Sequence, residues 1–190
     1  MKAGRSIFDH FKGARMKAML CPFCFLVAST VLPADAHPGL TVRFIEPEHF
    51  TDVSLSGSTT DKMREHVLAK LEKYLHRLAD AELPKNDRLE IDIKDIDMAG
   101  AIEPWQAPEL INTRIIRDIY WPLIKLHYRW QNEKGNLLEE ADETVSDKSY
   151  LRFADPSFRI NDPLRYEKTL LMRWFEKRFG NGKKPYSAVR

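Results

Sequence analysis

The sharpest local chemical feature of this 190-residue chain is Asp95-Ile96-Asp97-Met98-Ala99-Gly100. Two carboxylates two residues apart at the end of a strand point to the same side, so they could hold a divalent cation or share acid–base work. A calcium loop of the EF-hand kind does not fit: Ala99 stands where an oxygen ligand is needed, and Gln106 where the bidentate glutamate belongs. A phosphoryl-transfer Asp-x-Asp fits poorly as well. That arrangement follows a buried parallel strand, and this strand alternates as a half-exposed one does. The plainer expectation is a polar bulge whose carboxylates cap turns and pair with Arg114 or Arg117. Trp105, in the Pro-rich stretch 103–108, is either a contact for sugar, peptide or a partner surface, or an aromatic tucked back onto its own core.

Other reactive groups carry less. Lys125, His127 and Arg129 make a basic row that could face an anion, but the next strand offers Glu139, Glu140, Asp142 and Glu143, and such cross-strand pairs are ordinary sheet stabilisers. Arg165, Tyr166, Glu167 and Lys168 open the last helix; a buried Glu167 would pair with a strand arginine, and an exposed group would be a solvated helix face. His66 and His76 lie ten positions apart on a helix, outside the spacing that lets two side chains share a metal. Cys21-Pro22-Phe23-Cys24 has the form of a thiol redox pair, yet it lies inside an apolar segment rather than at a helix start after a strand. The chain contains no Gly-x-Ser-x-Gly elbow, no His-Glu-x-x-His pair and no Gly-rich phosphate loop. The sequence leaves the cofactor unknown.

The elements that must position these groups are legible from periodicity. Residues 40–45 alternate like a strand and stop at Pro47. From 61 to 83, Met63, Val67, Leu71, Tyr74 and Leu78 recur at helical steps, with a cap in the stretch 58–61 and Pro84 as the stop. Leu89, Ile91 and Ile93 alternate with polar residues, after which Asp95 falls in phase with the apolar set; one extra residue, a bulge, restores the phase. Residues 113–120 are β-rich. Residues 124–130 and 137–145 flank a Gly-containing turn and read as a hairpin. Asp162-Pro163 starts a second helix whose apolar face is Leu164, Leu171, Trp174, Phe175 and Phe179, with Gly180 as its end. The order strand, helix, about four strands, helix predicts an α+β fold: an antiparallel sheet of four to five strands with two main helices on one face.

Composition bounds the setting. Residues 1–17 carry Lys2, Arg5, Lys12, Arg15 and Lys17 against Asp9, residues 18–32 are uncharged, and Ala34-Asp35-Ala36 is a small-x-small cleavage site. These are the three regions of a secretory signal peptide, and the apolar stretch is too short to span a bilayer comfortably. Met16 would serve equally as a start. The expected organisation is a signal peptide over 1–36, one domain over 37–180 and a disordered tail over 181–190, with a periplasmic or secreted product. Of 30 basic and 28 acidic residues, five and two fall in 1–36, leaving 25 and 26 and a net charge of −1. That balance excludes a general nucleic-acid binder. No cysteine and no membrane-spanning run remains after residue 36. Cleavage there would expose His37 as an N-terminal histidine, the arrangement a copper brace uses.

Several segments in order along the chain resemble one family: Phe50-Thr51-Asp52, Asp95-x-Asp97-x-Ala99-Gly100, Arg117-Asp118 with Pro122 and Tyr128, Ser146-Asp147 with Tyr150, and Leu164-Arg165-Tyr166-Glu167-Lys168 with Trp174. Together they resemble an exported bacterial family catalogued as domain of unknown function 3016, over roughly residues 40–179. The resemblance implies export and a single domain, and brings no established activity, cofactor or catalytic residue. The sequence therefore points to a non-catalytic envelope module that binds a protein partner or small ligand through Asp52, Asp95, Asp97, Trp105 and Arg114. The alternative is a metal- or acid-assisted hydrolase using Asp95 and Asp97.

Overall fold

Alternating Leu, Ile and Val residues build a sheet with one apolar face, and two helices cover that face. The computed structural model describes residues 39–57, 60–152 and 161–180. Residues 1–36, expected to form a signal peptide and containing Cys21 and Cys24, lie outside the described residues, as do His37 and residues 181–190. The elements in order are β1 (Leu40–Phe44), α1 (Asp61–Glu82), β2 (Arg88–Asp97), β3 (Ala101–Ile102), β4 (Arg114–Ile115), β5 (Leu123–Gln131), β6 (Leu137–Ser146) and α2 (Arg165–Phe179).

The main sheet has the order β1-β2-β5-β6. β2 pairs with β5 and β5 with β6, both antiparallel. β1 departs from the all-antiparallel expectation, because α1 returns the chain across the sheet and the β1–β2 pair is parallel. A second difference lies in 113–120. Of this β-rich stretch only Arg114–Ile115 forms a strand, and it pairs with Ala101–Ile102 in a separate two-stranded ladder rather than joining the main sheet.

α1 starts where Thr60 accepts a hydrogen bond from the Met63 amide at 3.2 Å, and it buries Val67, Leu71, Tyr74, Leu75 and Leu78. α2 begins two residues later than Asp162-Pro163 suggests. Asp162 takes the Leu164 amide at 3.0 Å and the Lys168 ammonium at 2.5 Å, organising the turn before the first helical residue. Phe175 and Phe179 are fully buried, and the rings of Tyr128, Trp130 and Trp174 meet Phe179 edge-on at 5.3–5.5 Å. Each such aromatic contributes about 1.5–3 kcal/mol of burial energy.

The opposite face of the sheet is charged and paired across the strands. Arg43 meets Asp92 at 2.6 Å, Lys94 meets Asp142 at 2.5 Å, and Arg129 meets Glu140 at 3.2 Å. His127 lies between Glu140 and Asp142. The basic row of β5 is thus matched by acids of its neighbours, His127 and Arg129 by β6 and Lys125 by Asp95 of β2, rather than left facing an anion.

Candidate functional site

The register of β2 shifts between Ile93 and Asp95, the bulge that the broken alternation called for. It keeps Ile93 and Ile96 both buried and brings Asp95 and Asp97 to the strand end beside residues 51–54. There Asp52 forms a parallel bridge with Asp97: its amide donates to Ile96 O at 2.9 Å and its carbonyl accepts from the Met98 amide at 3.2 Å.

Asp95 and Asp97 have different surroundings. Asp95 Oδ1 accepts from the Thr51 amide at 2.8 Å, and Oδ2 accepts from Thr51 Oγ1 at 3.0 Å and Lys125 Nζ at 2.9 Å. Burial opposes its charge, but the bonds from Thr51 and Lys125 outweigh burial and hold the carboxyl below its ordinary value. The Asp97 carboxylate has no hydrogen-bond partner among the described residues. Burial, then the neighbouring charges of Asp52 and Asp95, push its pKa up.

Arg114 organises the strand end. Its side chain is 9% exposed, and Nη2 meets Asp52 Oδ2 at 2.6 Å. Nε reaches Ser54 O at 2.9 Å, and Nη1 reaches Ala99 O at 3.0 Å and Gly100 O at 2.7 Å. One guanidinium thus ties β4 to the 51–54 segment and to the turn after β2. Gly100 makes this approach possible. It sits at φ +81°, and a Cβ there would stand 2.7 Å from Ile115 O and 2.6 Å from Ile116 Cδ1.

A cavity of about 240 Å³ opens beside this clamp, lined in part by Asp52, Asp97, Gly100, Ile119, Tyr120 and Trp121. Of the sequence-derived residues, Asp52 and Asp97 face the cavity, Arg114 holds Asp52 from behind, and Asp95 is engaged by Thr51 and Lys125. Trp105 does not join them; it is 72% exposed on its loop. Glu103 anchors that loop through bonds from Gln106, from Arg117 at 2.9 Å and from Tyr120 at 3.1 Å. Arg117 therefore serves Glu103 rather than the strand-end acids. Among the described residues no three His, Cys, Asp or Glu side chains converge as a metal-binding group.

Glu167, which the sequence left between a buried partner of a strand arginine and a solvated helix face, takes the buried position with a different partner. It is 1% exposed, and its Oε1 accepts the Ala99 amide at 2.8 Å rather than pairing directly with a strand arginine. Its Oε2 is buried without a hydrogen-bond partner among the described residues, and burial raises the carboxyl to about 7. The signal was present in the spacing, since Glu167 lies three residues after Leu164 and four before Leu171, on the apolar stripe of α2.

An α+β domain with a clamped acidic cavity at the end of its second strand is the class that fold and site define. The family model described as "Protein of unknown function (DUF3016)" matches residues 39–177, and the chain belongs to that family. No curated protein and no solved structure matches the chain.

Proposed function

We propose that this chain is an exported, non-catalytic binding module of the cell envelope, and that the Asp52–Asp97 cavity receives a positively charged group of its ligand or partner. The observation that carries the reading is a charge imbalance. Two carboxylates face the cavity, Arg114 bonds directly to Asp52, and Asp97 has no hydrogen bond among the described residues. An entering ammonium or guanidinium would supply the missing donors, and a charge-assisted bond to a half-buried carboxylate is among the stronger polar contacts.

The rim supports the same chemistry. Ile119 is 61% exposed beside the cavity, offering apolar surface to the aliphatic stem of a lysine- or arginine-like group. Trp121 already carries the Lys148 ammonium 5.0 Å from its ring centroid, a contact between a cation and an electron-rich face. The non-catalytic reading follows from the sequence, which carries no nucleophile–base motif, and from Asp95, whose carboxylate is occupied by Thr51 and Lys125. Export rests on the three-part pattern of residues 1–36. The product is periplasmic in a two-membrane host and secreted otherwise.

Titration of the protein with n-butylammonium, followed by amide NMR at constant ionic strength, tests the site. The expected result is saturable shifts at Gly100, Tyr120 and Trp121 that are lost in Asp97→Asn. Shifts that never saturate, or that persist unchanged in the variant, overturn the reading. N-terminal sequencing of protein from the envelope fraction tests export, with a start at residue 37 expected.

A further inference from the structure

Three carboxyl groups draw on one guanidinium at this strand end. Arg114 bonds to Asp52 at 2.6 Å, and its charge also acts on Asp97 and on Glu167. Lys125, the other cation that acts on Asp97, is bonded to Asp95. With all three acids ionised, one positive charge faces three negative ones. The cluster resists that state, and a cation in the cavity relieves it.

Glu167 is joined to the clamp through a single peptide unit. The Met98–Ala99 peptide gives its N–H to Glu167 Oε1 at 2.8 Å, while its carbonyl lies 3.4 Å from Arg114 Nη1. The residues on either side of Ala99, Met98 and Gly100, line the cavity. The charged and titratable groups around Glu167 are Arg114 from β4, Asp162 from the segment before α2 and Tyr150 from the segment after β6. Asp162 is bonded to Lys168 at 2.5 Å, and Tyr150 donates to Arg117 O at 2.6 Å. Arg114 is thus the cation that ionised Glu167 feels, and Arg114 is committed first to Asp52.

We propose that Glu167 is the proton-linked regulator of the cavity: occupation of the Asp52–Asp97 site by a cation and loss of the Glu167 proton favour one another. This inference rests on the cation reading of the cavity. The charge of a bound ammonium adds to that of Arg114 and offsets those of Asp52 and Asp97, so ionisation of Glu167 meets less opposition. By linkage the effect is reciprocal, and the site binds cations more tightly once Glu167 is ionised. The buried carboxyl titrates at about 7, which places the transition in the neutral range. A displacement of that titration by one unit corresponds to about a tenfold change in affinity between the acid and alkaline limits.

The experiment measures n-butylammonium affinity for the wild-type protein and Glu167→Gln between pH 6 and 8.5. Tighter binding by several-fold at the alkaline end in wild type, with a flat profile in the variant, is the expected outcome. Equal slopes in the two proteins overturn the linkage while leaving the cavity reading intact. Absence of saturable binding at every pH overturns the cavity reading and this inference together. Should the variant fail to fold, the Ala99 amide of the wild-type protein serves instead. Its titration midpoint is expected to fall on addition of n-butylammonium, and an unmoved midpoint in a protein that binds the cation overturns the proposal.

Discussion

Replacing Glu167 with glutamine isolates the cost of one buried charge. The carboxyl titrates at about 7 in the fold against an ordinary value of 4.5, because burial disfavours its ionised form. A value raised by folding means that the native state binds the proton more tightly than the unfolded chain does. The associated stability is fully present below pH 4.5 and is lost as pH rises through 7. The interval between 4.5 and about 7 corresponds to about 3 kcal/mol, a large share of the stability of a domain of this size. Glutamine keeps the oxygen that accepts the Ala99 amide and cannot ionise. Urea unfolding of both proteins from pH 4.5 to 8.5 reads the difference directly, since every other titrating group contributes equally to both. Glu167→Gln is expected to gain on the wild type by about 3 kcal/mol across that range, with most of the change between pH 5 and 7.5. A gap that stays constant with pH would refute the reasoning, whatever its sign.

Three further outcomes test the surrounding architecture. Gly100→Ala and Gly135→Ala impose the same left-handed backbone on alanine, at φ +81° and +79°, but only the first drives a methyl into backbone at 2.7 Å; thermal melts should show about 1 kcal/mol lost at Gly135 and well over 2 at Gly100. Arg114→Lys cannot span Asp52, Ser54, Ala99 and Gly100 with one ammonium, and should cost about 3 kcal/mol in urea unfolding. Trp105→Ala, at a site 72% exposed, should leave stability within about 0.5 kcal/mol, whereas Trp174→Ala, at a site 5% exposed, should cost about 3–5 kcal/mol.

Much of the fold was legible because local geometry fixes which way a side chain points. The three- and four-residue rhythm of Val67, Leu71, Tyr74 and Leu78 specified the buried stripe of α1. The phase slip after Ile93 located the bulge, since a strand has only two faces and an acid on the apolar one must be displaced. The register of β5 against β6 likewise follows a pattern written into both strands, bases beside acids. Family membership rested on the order of several short segments, none of them distinctive alone.

The rest depended on partners far away in the chain. That β1 runs parallel to β2, and that only Arg114–Ile115 of 113–120 pairs, in a ladder outside the main sheet, are matters of strand order that no local pattern states. Whether Asp95 or Asp97 would be the free carboxylate turned on Thr51 and Lys125, 44 and 30 residues distant from Asp95. Trp105 had equal claims to core and surface, and the bonds that fasten its loop through Glu103 left it outside. Glu167 stood on the apolar stripe of α2 in plain view, but its charge state depends on the Ala99 amide 68 residues away and on Arg114. Periodicity records which face of an element is buried. What a buried polar atom meets there is set by strand order and packing, and those arise only from the whole chain acting together.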